Sequence, residues 1–242
     1  MNDTEIRGRL EQDNAELARS NRELEEFAYV ASHDLKSPLL VISGFLELLK
    51  ATKSEMLDED ARLYIDAAVR GATRMGQLID DLLAFSRVGS TERNSQLVDL
   101  SELVEHMVVD RQSSVTEAGA TVRVGSLPSV LGDATLLRQL LENLFSNSLK
   151  FRRPGVDCVI EIDGERRRGE WVISVSDNGI GIPHEHRQAI FTMFSRLAQS
   201  TDRPGSGIGL AICHRVVQAH GGRVWVEDGT AGGVRLCFTL PA

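Results

Sequence analysis

Residues 32–39 read SHDLKSPL, and they sit inside a run of apolar side chains spaced three and four apart. Phe27, Val30, Leu35, Leu39, Ile42, Phe45, Leu46 and Leu49 form one stripe that stops near Thr52. This is the pattern of a helix that buries one face. A second stripe, Leu63, Ile65, Ala68, Ala72, Met75, Leu78, Ile79, Leu82 and Leu83, ends near Arg87. Only a short polar stretch, Lys53 to Asp58, separates the two, so the spacing predicts a helical hairpin over 27–88. Each helix offers one stripe, and two hairpins from two chains would complete a four-helix bundle that one cannot.

If the heptad register persists, His33 falls at an outer position and faces solvent. An exposed neutral imidazole is a competent nucleophile, and the neighbouring carboxylate of Asp34 can orient the ring or accept its proton. Pro38 lacks a backbone donor and crowds the carbonyl of Asp34, which predicts a bend beside the histidine. A surface His before an Asp is by itself usually an ordinary solvated pair, and it is the proline and the flanking pattern that point to chemistry. Upstream, Leu10, Leu17 and Leu24 recur every seven residues with Asn14, Asn21 and Ala28 at the companion core position. That register describes a parallel two-stranded coiled coil over 1–26, with buried asparagines fixing dimeric state; the plainer alternative is a solvated single helix.

Downstream, Val88 to Gln96 is polar and contains Gly and Ser, and a linker is expected over 89–96. A second domain over 97–242 reads as helix (Ser101 to Gly119), short strand (Thr121 to Val124), helix (Ala134 to Phe151), strand pair (Cys158 to Ile162, Trp171 to Ser176), glycine-rich loop, helix and final hairpin. The expected fold class is thus α plus α/β, with a helical dimerisation region followed by a mixed α/β domain. Arg166, Arg167 and Arg168 cluster in a hairpin turn and read as solvated charge.

Composition narrows the function. Of 242 residues 42% are hydrophobic, enough for sizeable cores, and the net charge of −8 argues against a groove that neutralises a nucleic-acid backbone. Cys158, Cys213 and Cys237 lie far apart in sequence and form neither a metal-ligand spacing nor a disulfide framework. With no long apolar run and no secretion signal, a cytoplasmic location is expected.

Three further stretches carry chemistry. In ENLFSNSLKF, Glu142 to Phe151, the side chains of Asn143, Asn147 and Lys150 share one helical face. Asparagine carbonyls suit Mg²⁺, which keeps few protein ligands, and the lysine can neutralise phosphate. In DNGIGI, Asp177 to Ile182, the carboxylate ends a strand, where it could accept a hydrogen bond from the exocyclic amine of adenine, while Gly179 and Gly181 permit sharp turns. In GSGIGLAI, Gly205 to Ile212, a glycine-rich turn feeds a helix whose free amides can receive phosphate. The surrounding βαβ unit of a dinucleotide site is missing from the pattern. Residues 184–204, between the last two motifs, read as a long polar connection of the kind that forms a lid.

Taken together and in this order, the motifs resemble those of the histidine kinase family, most closely the kinase modules that follow phytochromes and related soluble sensors. SHDLKSPL is similar to the phosphoacceptor box, ENLFSNSLKF to the asparagine box, DNGIGI and GSGIGLAI to the two glycine boxes, and IFTMFSRL, Ile190 to Leu197, to the phenylalanine box. The resemblance covers nearly the whole chain. It implies a two-layer α/β sandwich ATP-binding domain of the type shared by gyrase, chaperone, histidine kinase and mismatch-repair proteins. It also implies phosphorylation of His33 by ATP with Asp34 as acidic helper, and transfer to an aspartate of a response regulator receiver domain.

By the same resemblance Asn147 corresponds to the main Mg²⁺ ligand with Asn143 as a second candidate, and Lys150 and Phe151 belong to the nucleotide site. Asp177 reads adenine, supported by Gly179 and Gly181. Gly205, Ser206, Gly207, Ile208, Gly209 and Leu210 form the phosphate turn and hinge, Phe191 and Phe194 anchor the lid, and Arg196 reaches phosphate from it. Ser37 stands where kinases that also dephosphorylate their partner carry Thr or Asn. Two rival readings are an ATPase of the same superfamily and a dimeric adaptor with a degenerate site. The ATPase activates water with a Glu at the position where this chain has Asn143.

Overall fold

The computed structural model describes residues 19, 30, 32, 34–53, 56–88, 94–195 and 205–242. The coiled-coil segment expected over 1–26 lies, apart from Arg19, outside the described residues, as do His33 and Arg196. The chain divides into two compact units, Met1–Thr91 and Glu92–Ala242.

In the first unit, helix α1 runs over residues 34–52 and helix α2 over Glu59–Arg87. The helix assignment of α1 passes through Pro38 without interruption. The turn ends where Asp58 caps α2, its carboxylate accepting from the amide of Ala61 at 2.8 Å, with Glu59 and Asp60 in the positive first turn. Ile65, Ala72 and Ile79, seven apart, form the buried seam of α2. Two ion pairs set the register: Lys36 to Asp80 at 2.6 Å and Lys50 to Asp66 at 2.7 Å. The two lysines advance along α1 as the two aspartates retreat along α2, which makes the helices antiparallel. Ile42, Phe45 and Leu49 on α1, and Leu63, Met75 and Leu82 on α2, stay exposed within this single chain. The stripe of α2 therefore splits into a covered seam and an uncovered apolar face, while on α1 Leu39 and Leu46 are half-buried and the rest of the described stripe is uncovered.

The second unit is a two-layer sandwich. Its strands are β1 (Gln96–Asp99), β2 (Thr121–Val124), β3 (Ser129–Gly132), β4 (Val159–Arg167), β5 (Glu170–Asp177), β6 (Val224–Asp228) and β7 (Val234–Pro241). Its helices are α3 (Leu100–Asp110), α4 (Gln112–Ala118), α5 (Ala134–Lys150) and α6 (Gly209–Ala219). Five strands form one sheet in the order β2-β4-β5-β7-β6, and β1 pairs with β3 in a separate two-stranded sheet. Only the β2–β4 pairing of the larger sheet is parallel.

The core lies between that sheet and α5. Leu137, Leu140, Leu141, Leu144, Phe145 and Leu149 from the helix are buried with Ile160, Ile162, Ile173, Val175, Leu236 and Phe238 from the strands. Across the sheet, the other face is laced with charge, for example Arg123 to Glu161 at 2.9 Å and Arg223 to Glu170 at 3.0 Å.

Three details differ from the sequence reading. The helix expected over Ser101 to Gly119 is two helices that meet at Arg111, and the second ends on Gly119 in the left-handed region, φ 59°. Strands β1 and β3 were not expected, and β1 opens at Gln96, inside the stretch read as linker. Each is only four residues long, too short for a period-two pattern to stand out, and they are stabilised by pairing with each other. Arg166 and Arg167 belong to β4, and only Arg168, φ 50°, lies in the turn.

Candidate nucleotide site and phosphoacceptor region

The site of the second unit begins with α5. Asp133 caps it, accepting from Thr135 and Leu136 amides at 2.9 and 3.1 Å. The buried face described above then turns Asn143, Asn147 and Lys150 away from the sheet. Asn143 Nδ2 donates to the carbonyl of Gly209, the first residue of α6, at 3.3 Å. About one turn further along the pair, Cys213 Sγ reaches the carbonyl of Leu140 at 3.7 Å. The polar face of α5 is thus fixed against the start of α6.

That start has no side-chain cap on its N-cap residue Ile208, whose own amide donates to Ser206 Oγ at 3.2 Å. First-turn amides of an 11-residue helix therefore lie free of side-chain capping at its positive end, a geometry that favours an anion. Lys150 completes the basic side. Its ammonium sits 4.7 Å from the Phe151 ring centroid, and a β-carbon at Gly205 would lie 2.2 Å from Nζ. The lysine reaches the glycine turn across more than fifty residues of sequence.

On the other side of the site, β5 ends at Asp177. Its Oδ1 accepts from the Gly179 amide at 2.9 Å and from the Val234 amide at 3.3 Å, and Ser148 of α5 adds a side-chain hydrogen bond. Burial pushes its carboxyl above the ordinary carboxylate value, against the pull of those donors and of Arg153. Asn178 pins the strand end, accepting from the Val159 amide at 2.9 Å and donating to the Asp157 carbonyl at 2.8 Å. Gly181 adopts φ +79°, and a β-carbon there would stand 2.8 Å from the Gly232 carbonyl oxygen. Both facts require glycine. The Ile180 amide donates to the Phe151 carbonyl at 3.0 Å, tying the Asp177 loop to the end of α5.

Asn143, Lys150, Phe151, Asp177, Gly179, Gly181, Gly205 and Gly209, all expected from sequence, therefore belong to one connected set of contacts, with Ser206, Gly207, Ile208 and Leu210 in the same turn and helix start. Asn147 is half-buried on the same helix, one turn beyond Asn143. Phe191 lies against the His214 ring of α6, centroids 6.0 Å apart, and Phe194 is exposed with φ 61°. In the first unit, Asp34 and Ser37 are exposed on α1 and Lys36 is engaged with Asp80.

Sequence reasoning passed over Ser148, Val234, Arg153 and His220. Ser148 was visible as a buried-face polar residue within the asparagine stretch. Val234 acts through its amide, which no side-chain pattern reveals. His220 is buried at the far end of α6, where Nε2 accepts from the Asp133 amide at 3.1 Å and Nδ1 faces the Val216 carbonyl at 2.8 Å. It couples the N-terminus of α5 to the C-terminus of α6.

The donor set bears on a metal. Among the described residues no group of three or more His, Cys, Asp or Glu side chains could hold one. One or two asparagine oxygens fit Mg²⁺, which keeps most of its water and binds chiefly through phosphate. Among the same residues no helix is long and apolar enough to cross a membrane.

Comparison with known proteins finds a family match in each of the two units. Residues 23–91 match the His Kinase A phospho-acceptor domain, and residues 132–242 match the histidine kinase-, DNA gyrase B- and HSP90-like ATPase family. The phytochrome-like protein Cph1 of Synechocystis sp. is 39% identical, over 93% of this chain and 30% of its own length. Cyanobacterial phytochrome A of Nostoc sp. is 40% identical, over 93% of this chain and 29% of its own. The chain thus spans about a third of the length of such relatives. The structure of full-length ShkA in complex with AMPPNP superimposes with a TM-score of 0.70 at 29% identity, covering 89% of this chain and 45% of that one. A phospho-acceptor domain followed by an ATPase domain of this type, with relatives that share both, makes the chain a member of the sensor histidine kinase family.

Proposed function

We propose that this chain autophosphorylates His33 from ATP and passes the phosphoryl group to an aspartate of a response regulator receiver domain. What carries the reading is one set of contacts in the second unit: a buried acceptor at Asp177, and opposite it a lysine and an uncapped helix start. The first can read a base and the second can hold phosphates. The same chain carries SHDLKSPL, of which Asp34 and Ser37 are exposed on α1.

In the transfer step an imidazole nitrogen of His33 attacks the γ-phosphorus, a P–N bond forms, the bond to the β,γ-bridging oxygen breaks and ADP leaves. The ring proton passes to Asp34 or to solvent. Positioning and neutralisation of the transferring group supply most of the rate. Lys150 and the α6 amides hold the polyphosphate, while Asp177 accepts from the adenine amine. Mg²⁺, held by Asn147 with Asn143 beside it, would add charge neutralisation at the phosphates when bound. The phosphoramidate product has high transfer potential, and the receiver carboxylate takes the group as an acyl phosphate.

The uncovered face of Ile42, Phe45, Leu49, Leu63, Met75 and Leu82 supports a homodimer through a four-helix bundle, extended by the coiled coil over 1–26. Three free, buried cysteines support a reducing, cytoplasmic setting. Domain limits follow the same logic: 27–88 for dimerisation and phosphotransfer, and 97–242 for ATP binding. Incubation with γ-labelled ATP tests the reading. Acid-labile label on the protein that disappears in His33→Gln supports it; release of free phosphate alone would favour the ATPase, and neither outcome the adaptor.

A further inference from the structure

Arg153 stands outside the sequence motifs, three residues beyond the end of α5, yet it faces the Asp177 pocket. Its guanidinium lies on the turn that joins β6 to β7: a β-carbon at Gly232 would sit 2.9 Å from Nη2. The opposite side of that turn is pressed onto the Asp177 loop. A β-carbon at Gly233 would lie 1.9 Å from the Asp177 carbonyl oxygen, the Gly232 carbonyl crowds Gly181, and Val234 donates to Asp177 Oδ1 at 3.3 Å. The turn is therefore held between an arginine and the carboxylate that ends β5.

We propose that Arg153 is a positioning residue for nucleotide choice: it holds the Gly232 turn against Asp177 and supplies the positive charge that keeps this buried carboxylate an acceptor. The proposal rests on Asp177 being the base-reading group. Adenine presents an amine donor where guanine presents a carbonyl acceptor. An ionised carboxylate accepts from the amine and repels the carbonyl, whereas a protonated one can donate to the carbonyl. The ionisation of Asp177 thus sets discrimination as well as affinity.

Other groups facing the carboxylate do not supply that charge. The Gly179 and Val234 amides and Ser148 are neutral donors, and the Cys158 thiol at the start of β4 is pushed up by burial and then by the Asp177 charge itself. Arg153 acts on Asp177 in the direction opposite to burial. Without it the carboxyl titrates higher, so as pH falls adenine binding is lost sooner. Removing the guanidinium charge therefore shifts the acid limb of binding toward higher pH, an effect moderated by the solvent that reaches the half-buried arginine.

The test titrates the full chain calorimetrically with ADP and with GDP, both with Mg²⁺, between about pH 5 and 8. Arg153→Gln and the stem-preserving Arg153→Met should both move the acid limb of ADP binding to higher pH and narrow the ADP over GDP preference on that limb. Arg153→Lys should restore both. An acid limb and a preference that stay as in the parent in both uncharged variants, or a loss of binding that is uniform with pH and not rescued by Lys, would overturn the proposal. Asp177→Asn tells the two roles apart: if it keeps the parent's ADP preference, Asp177 does not read the base and Arg153 has no such group to support; if it loses that preference while the Arg153 variants keep theirs, the role of Arg153 alone fails.

Discussion

Replacing Asp177 by Asn exchanges a buried anion for a neutral group of the same shape, and the structure predicts opposite effects on binding and on folding. The carboxylate serves both the fold and the ligand: Oδ1 accepts from the Gly179 and Val234 amides, Ser148 adds a side-chain hydrogen bond, and the base needs an acceptor as well. An amide has one oxygen. If it stays with the two backbone donors, an NH₂ group meets the adenine amine; if it turns, those amides face a donor. A hydrogen bond to a charged group contributes about 1.5–3 kcal/mol, so ADP should bind on the order of tenfold to a hundredfold more weakly.

Folding should respond differently. Because burial raises the folded-state value above the ordinary 3.8, the neutral form is the one the fold prefers. The favourable contribution of this group is full below the unfolded value and is lost as pH rises through the raised folded value. At neutral pH the anion is therefore a cost, and the Asn variant without nucleotide should melt no lower than the parent. On acidification from neutral pH toward 3.8, this group should stabilise the parent but not the variant. Titration calorimetry with ADP and thermal melts without nucleotide measure the two effects. An Asn variant that binds ADP within about twofold of the parent, or one whose lost binding is matched by a lower melting temperature, would refute the reasoning.

Four further outcomes are expected. Gly233→Ala should give an unstable protein, since its β-carbon would meet the Asp177 carbonyl oxygen at 1.9 Å and Asn178 Cα at 2.6 Å, both backbone atoms; a soluble variant with the parent's denaturation midpoint would contradict this. His220→Leu removes the acceptor of a part-buried Asp133 amide and should lower stability by about 1–3 kcal/mol in urea unfolding, while ADP still binds at saturation. If the proposed dimer forms through the exposed apolar face of α1, Phe45→Glu should turn it to monomer in sedimentation, whereas an unchanged dimer mass would contradict that contact. Cys213 and Cys237 should resist alkylation at pH 8 until the protein is unfolded, because burial raises both thiols, Cys237 to about 12. Separately, Ser37→Ala tests the hydroxyl on the exposed face of α1: an unchanged decay of phosphorylated receiver removes Ser37 from any phosphatase role.

The sequence by itself determined the parts of this protein that depend on local period and residue type. The seam Ile65, Ala72 and Ile79 follows from helical spacing, and the split of α5 into an apolar face and the Asn143–Asn147–Lys150 face follows in the same way. Asp177 at the end of an apolar strand, followed by glycines, was equally legible, because alternation and turn chemistry are written in consecutive residues. Tertiary structure decided what depends on distant partners. Strands β1 and β3 exist because each supplies the other's hydrogen bonds. The Val234 amide reaches Asp177 from 57 residues away, and His220 reaches Asp133 from 87. Arg153 became part of the pocket only when the β6–β7 turn folded onto it. Backbone donors look alike in every residue, and a contact across two elements leaves no period in either, so only the folded chain brings these groups to the carboxylate.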